Sequence, residues 1–183
     1  MNNTITLHGV FMDIFGLGVL LTGESGIGKS EIALSLLSRG HRLVADDSIE
    51  FVLNEKQQPV GSSPGLLQNF LEVRGLGVLN IKAMFGDAAI KKNVPLKLVT
   101  HIVDISDIKI KHTERLYGMH SKLNILGSDI ARVIIPLGPG RNLSVLLETA
   151  VRNHRLRATG YDASLDFVQR QRRHMQQEMD NDN

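Results

Sequence analysis

The sequence predicts an α/β domain built around a phosphate-binding loop, and three observations carry that expectation. The apolar run Leu17 to Thr22 leads into Gly23-Glu-Ser-Gly-Ile-Gly-Lys-Ser30, the pattern G-x-x-x-x-G-K-[ST] read at Gly23, Gly28, Lys29 and Ser30. A helix-period segment follows at once, with Ile32, Leu34, Leu36 and Leu37 apolar and Gly40 as its stop. Short β-prone runs recur before and after this unit, as an α/β chain requires.

The spacing of the loop has a chemical reason. Gly23, Gly26 and Gly28 let the backbone turn several N–H groups inward on a phosphate, while Glu24, Ser25 and Ile27 complete the loop. The helix that begins near Lys29 adds its positive end at the same point. Lys29 can reach the β- and γ-phosphates of a nucleotide, and the Ser30 hydroxyl can ligate Mg²⁺.

Taken in order, Thr6 to Ile14 and Leu17 to Thr22 read as a hairpin turning at Phe15-Gly16. The first helix covers Lys29 to Ser38. Arg42 to Ala45 reads as a short buried strand ending in Asp46-Asp47. Ser48 to Asn54 reads as a separate strand, with Ile49, Phe51 and Leu53 in alternation. Gln57 to Gly65, holding two prolines and two glycines, reads as a loop, and Leu66 to Glu72 as a weak helix or extended piece. Arg74-Gly-Leu-Gly77 is a tight turn before Val78 to Ile81, and Lys82 to Ile90 holds a short helix. Leu96 to Val103 is a strand and Asp104 to Leu116 a polar connection. Ile125 to Ile135 contains a strand, and Pro136 to Gly140 is a loop. Asn142 to Arg157 is an amphipathic helix, and Asp162 caps a last helix running to about Met179. The tail Asp180-Asn-Asp-Asn183 is expected to be disordered. Residues 1–160 are expected to form the main unit, and 161–183 a helix and tail of the same domain.

Composition narrows the function classes. At 183 residues, 42% hydrophobic, the chain fits one globular domain without an apolar run long enough to span a membrane. The N-terminus shows neither a basic nor an apolar leader region, and with no cysteine a cytoplasmic location is expected. The net charge of +2 and the 4% aromatic content argue against nucleic-acid binding. The basic residues gather late, at Arg152, Arg155, Arg157 and Arg170 to Arg173, which suits an acidic partner surface.

The acid pair Asp46-Asp47 is the second chemical feature. One carboxylate could orient Mg²⁺ while the other takes a proton from a nucleophile, and each raises the other's pKa. In a regular strand the two would point to opposite faces. Asp-Asp-Ser is also good turn chemistry, and residues alone leave that alternative open.

The motifs taken together resemble one family. His8-Gly-Val, Gly-Glu-Ser-Gly-Ile-Gly-Lys-Ser30, Arg39-Gly-His-Arg-Leu-Val-Ala-Asp-Asp47, Leu71-Glu-Val-Arg-Gly-Leu-Gly77 and Gly140-Arg-Asn142 fall in the order found in HPr kinase/phosphorylase. The resemblance covers nearly the whole chain and corresponds to that family's catalytic domain. It implies a P-loop kinase-like domain with a central mixed β-sheet, similar to the nucleotide-binding domain of phosphoenolpyruvate carboxykinase, plus C-terminal helices. It further implies ATP-dependent phosphorylation of a serine of the carrier protein HPr in the bacterial sugar phosphotransferase system. The reverse step is attack by inorganic phosphate on that phosphoserine to give pyrophosphate. The resemblance also allows pyrophosphate as a second phosphoryl donor.

By the same resemblance Asp47 is the base, with Asp46 sharing the site. Glu72 helps hold Mg²⁺ with Ser30, His8 is an active-site histidine, and Arg115 stabilises phosphoryl charge. Arg74, Gly75 and Gly77, and Pro136, Gly140 and Arg141, match segments used in both directions or mainly in reverse. Arg39 and Arg42 are expected to be helix-dipole partners. The family's homohexamer is implied, as is a C-terminal helix that contacts HPr. Members usually carry a further N-terminal domain ahead of the His-Gly-Val segment, and none is seen in this sequence; the resemblance therefore implies the chemistry and leaves open the regulation and assembly that depend on that domain.

Two readings from other classes start from the same loop. A switch or motor NTPase is one, although no guanine-specifying Asn-Lys-x-Asp is present. A nucleotide- or phosphate-sensing module is the other. The acid pair, Glu72 and Arg115 favour an enzyme over a sensor, because a sensor needs no base.

Overall fold

The computed structural model describes residues 4–109 and 111–181. Strand β1 (Thr4–Ile14) turns back through Phe15 and Gly16 into β2 (Leu17–Gly23). Both turn residues have positive φ, 53° and 83°, which matches the twist of a two-residue hairpin. The glycine loop then delivers the chain to α1 (Lys29–Ser38). There follow β3 (Arg42–Leu53), β4 (Pro59–Ser62), β5 (Phe70–Val73), β6 (Gly77–Asn80), α2 (Ile81–Phe85) and β7 (Asn93–Asp104). The chain ends with α3 (His112–Tyr117), β8 (His120–Ile125), β9 (Ser128–Leu137), α4 (Leu143–Ala158) and α5 (Ala163–Asn181).

Seven strands form one mixed sheet in the order β2-β1-β3-β4-β7-β9-β8, and β7 pairs with β2 as well. Strands β2, β1, β3, β4 and β7 therefore close on themselves. β7 runs parallel to β2 and to β9, and the remaining pairs are antiparallel. The hairpin β5-β6 stands apart as a small second sheet.

Period-two alternation divides the strands' side chains between two cores. Val10, Met12 and Ile14 of β1 join Leu21, Leu36, Leu147 and Val151 under α1 and α4. Phe11 points the other way, with Leu20, Phe51, Leu96 and Val99, into the space enclosed by the closed strands. Phe11 and Phe51 meet edge to face at 5.3 Å between centroids. A Cβ on Gly61 would lie 2.5 Å from Phe11 and 2.6 Å from Phe51, so β4 passes these rings only as glycine. Each fully buried large side chain contributes roughly 1.5–3 kcal/mol.

Several expectations are corrected. The two strands expected at Arg42 to Ala45 and Ser48 to Asn54 are one, because β3 pairs with β1 straight through the acid pair. The Gln57 to Gly65 loop contains β4, and the Leu66 to Glu72 stretch is a 3₁₀ turn followed by β5. Helix α2 stops at Phe85, with a separate 3₁₀ turn at Asp87–Ala89. The polar connection after β7 contains α3, and the strand expected within Ile125 to Ile135 is β9, which runs on to Leu137 and is preceded by β8 from His120. Arg39, at the C-cap of α1, and Arg42 just beyond it also pair with side chains. Arg39 forms a two-pronged bond to Glu148, and Arg42 bonds the buried Asp13. The Asp162 cap is present, accepting from the Ser164 and Leu165 N–H groups. Helix α5 continues through Asn181, so the expected disorder from Asp180 does not hold for those two residues. Residues 182 and 183 lie outside the described residues.

Candidate active site

The glycine loop bends through Gly23, Gly26 and Gly28 at φ of 149°, 80° and 96°. A Cβ on Gly23 would meet the Ile102 carbonyl oxygen at 2.6 Å, so β7 also excludes a side chain there. Lys29 Nζ donates to the carbonyls of Gly23 (2.9 Å) and Glu24 (2.8 Å), which holds the ammonium across the mouth of the loop.

Beside the loop lies a cleft of about 420 Å³. It gathers Ser25, Lys29, Ser30 and Glu31 with His8, Val10, Asp46, Asp47, Glu72 and Arg74. Three separate parts of the fold deliver these groups. Register places Gly9 of β1 opposite Asp47 and Val10 opposite Asp46. The β5-β6 hairpin brings Glu72 and Arg74 over the loop, and the Arg74 guanidinium lies about 3.0 Å from where a Gly26 Cβ would be.

A local distortion lets both acids line one cleft. Asp47 has φ 64°, a left-handed conformation that breaks the strand's alternation of faces. The aspartate type tolerates it better than most. His8 donates its Nδ1–H to the Asp47 carbonyl at 3.1 Å, and the same nitrogen lies 3.8 Å from the Asp47 carboxylate. A carbonyl only accepts, so the His8 proton sits on Nδ1. Both side chains are largely exposed, at 83% and 80%.

Asp46 is set deeper. Its Oδ2 accepts from the Glu72 backbone N–H at 2.9 Å, tying β3 to the hairpin. Burial pushes its carboxyl above the ordinary range. The charges of Asp47 and Glu72 add to that push, while the N–H groups of Glu72 and Asp47 oppose it. Among the described residues no three His, Asp or Glu side chains are grouped as a metal cage. Mg²⁺ is usually held by one or two carboxylates plus substrate phosphates. The hard oxygens of Ser30, Glu72 and Asp46 in one cleft fit that kind of site.

The other sequence-chosen residues fall elsewhere. Gly75 and Gly77, at φ 86° and 80°, shape the hairpin turn after Arg74 and do not line the cleft. Gly140 and Arg141, with Ile27, line a second cleft of about 550 Å³ that shares Gly28 and Glu31 with the first. Pro136 is buried in β9 opposite Val103, outside both clefts. Arg115 is exposed on α3, also outside both, and the exposed Glu24 lines neither. One neighbour had no sequence signal. His101 of β7 meets the Thr22 hydroxyl at 2.9 Å behind the loop. Burial, then the charges of Arg132 and Lys29, lowers its pKa. Only the β2–β7 register, which places Thr22 opposite His101, reveals it.

Comparison with known proteins identifies the family. Residues 1–171 match the family described as the HPr Serine kinase C-terminal domain. The chain is 51% identical over 167 residues to proteins named HPr kinase/phosphorylase from Xanthomonas campestris pv. campestris and Xanthomonas oryzae pv. oryzae. That match takes in 91% of this chain and 53% of each relative, so the chain spans about half the length of the curated relatives it matches. A solved structure titled as the Hpr(Ser) kinase/phosphatase from Coxiella burnetii superposes with TM-score 0.80 at 37% identity. It covers 89% of this chain and 98% of that one.

Proposed function

This chain belongs to the HPr serine kinase C-terminal domain family, and from that premise we propose that it is a bifunctional HPr serine kinase and phosphorylase. The observation that carries the reading is the single cleft in which the glycine loop, the acid pair and the Glu72–Arg74 hairpin converge. The reading includes a P-loop kinase-like fold akin to the nucleotide domain of phosphoenolpyruvate carboxykinase. Residues 1–160 form the catalytic unit, with 161–183 appended.

In the forward direction a serine hydroxyl of an HPr-type carrier enters the cleft beside Asp47. Asp47 takes the hydroxyl proton as the serine oxygen–phosphorus bond forms and the bond from phosphorus to the β,γ-bridging oxygen of ATP breaks. Lys29 exchanges its loop carbonyls for phosphate oxygens, and the loop N–H groups with Arg74 hold the remaining charge. His8 fixes the Asp47 backbone. Ser30 and Glu72, with Asp46 beside them, would hold Mg²⁺, which would supply positive charge against the phosphates. In reverse, inorganic phosphate attacks the phosphoserine phosphorus. The serine oxygen leaves with the proton from Asp47, and pyrophosphate remains in the loop. A pocket shaped for a β-phosphate suits all three phosphate species.

The same reading makes the chain part of a cytoplasmic homohexamer. No described helix is long and apolar enough to cross a membrane. Exposed apolar residues such as Leu66, Leu76 and Val78 offer surface for protein partners.

Incubation with HPr, Mg²⁺ and ATP, followed by intact mass, tests the proposal. HPr should gain one phosphate, then lose it on incubation with inorganic phosphate as pyrophosphate appears. ATP turnover without a mark on HPr would overturn the substrate assignment.

A further inference from the structure

We propose that the cavity between α4 and the β8-β9 edge of the sheet binds a small carboxylate with an aliphatic body. The cavity encloses about 360 Å³ and shares no residue with either cleft at the glycine loop, so the site stands apart from the proposed kinase chemistry. That volume lies within the range of small-molecule sites. Register builds its floor. His120 of β8 stands opposite Val133 of β9, and Lys122 opposite Ala131, which on its other side is opposite Leu98 of β7. Residues two apart in a strand share a face, so these side chains turn together toward α4. The helix closes the other side with Ala150, Asn153, His154 and Arg157, which at i, i+3, i+4 and i+7 fall on one stripe.

Charge and polarity select the ligand. Leu98, Ala131, Val133 and Ala150 offer aliphatic surface for a short carbon chain, of which a free inorganic anion makes no use. No carboxylate lines the cavity, and its cations are not equally available. Arg157 is paired with Asp162, just ahead of α5. Arg132 alternates to the other face of the sheet, where its Nε donates to Ser121 Oγ at 2.8 Å. Lys122 is left as the one uncompensated cation, which suits a single anionic group. The two imidazoles add a proton-linked part. Burial first, and then the Arg157 charge, holds the pKa of both His120 and His154 below the ordinary histidine value. His154 adds to that push on His120 and Lys97 to that on His154, while Asp162 and the Tyr117 backbone oppose it at His120. Both rings are therefore mostly neutral at pH 7. A carboxylate beside them supplies the opposite charge that favours the imidazolium. Its binding thus takes up a proton and strengthens as pH falls.

Isothermal titration of the full chain with hexanoate, which brings no phosphate to the glycine loop, tests the site by itself. Titrations at pH 7 in two buffers of different ionisation enthalpy should show proton uptake on binding. Affinity should be roughly fivefold higher at pH 6 than at pH 8, because a one-unit rise in a histidine pKa is worth at most about tenfold. Hexan-1-ol, with the same body and no charge, should bind more weakly. Lys122 is an exposed strand position, and Lys122→Gln should weaken hexanoate roughly fivefold. His154→Gln should reduce the proton uptake and flatten the pH dependence. No hexanoate binding at millimolar concentration would overturn the proposal, as would hexan-1-ol binding equally well. An affinity that stays level from pH 8 to pH 6, or one unchanged in both folded variants, would overturn it too.

Discussion

Asp47 combines a strained backbone with the side chain proposed as the base. Its left-handed φ of 64° costs on the order of 1 kcal/mol in most residue types, less in Asp or Asn. Asp47→Asn should therefore keep the fold and nucleotide binding while lowering both reactions about 10²–10⁴-fold, the usual worth of a positioned base. Single-turnover assays in each direction measure this, and a variant impaired in only one direction would argue for two separate bases. Asp46 offers a test by pH. Its folded pKa is raised, so the folded state holds the proton more tightly than the unfolded chain. Stability then falls as pH rises from the unfolded value through the folded one, and the ionised group carries a cost at neutral pH. Asp46→Asn should raise Tm at pH 7 yet weaken Mg²⁺-dependent activity. A lower Tm would show that the Glu72 N–H bond outweighs burial.

Among the elements, Glu148 on α4 ties together the end of α1 and the start of β3. It accepts from Arg39 at 2.7 Å and lies 2.8 Å from the ring nitrogen of the buried His41. The Arg39 bond is the main cause that holds its pKa down to about 2. Burial opposes the shift, and His41 adds to it. The sign follows from a depressed carboxylate. This contribution is complete above about pH 4.5 and is lost as pH falls toward 2. Glu148→Ala should cost roughly 1.5–3 kcal/mol in urea melts at pH 7, with a much smaller difference from the unaltered chain near pH 2. Gly61→Ala tests β4, because its methyl would press on Phe11 and Phe51. It should destabilise by about 1–3 kcal/mol without altering nucleotide affinity in the folded fraction.

At the scale of the whole molecule, strand closure explains how residues from three parts of the chain meet. β7 pairs with β4, β2 and β9, so the glycine loop at the end of β2 is braced from the parallel side while β1 and β3 carry His8 and the acids beside it. Helix α5 lies outside this frame. It is fastened near its start, where Ser164 Oγ donates to the Leu116 carbonyl. Beyond that it exposes Leu165, Phe167 and Met175 beside Arg172 and Arg173. That amphipathic surface suits a protein partner. Removal of Tyr161 to Asn183 should raise KM for HPr while ATP affinity stays the same. Unchanged kinetics with HPr would exclude α5 from docking.

The strand, glycine loop and helix of Leu17 to Ser38 were legible in the sequence because their signal is local: glycine spacing, a preceding apolar run and a following helix period lie within about 25 residues. So were the β1-β2 hairpin, α1, α4 and the cap at Asp162, each set by neighbours in the chain. The pairing of distant segments could not be read there. Strand β4 is held by β3 and β7, so local pattern reads it as loop, and the short or half-exposed β5 and β8 carry too weak a period to be read as strands. Which face Asp47 presents also depended on register with β1 and on one positive φ. Motifs brought Asp46, Asp47, Glu72 and His8 to notice, and tertiary structure put them in one cleft. The same packing left Arg115 outside and paired Thr22 with His101. A residue's type is carried by its own codon, but its neighbours in space are fixed only when the sheet closes.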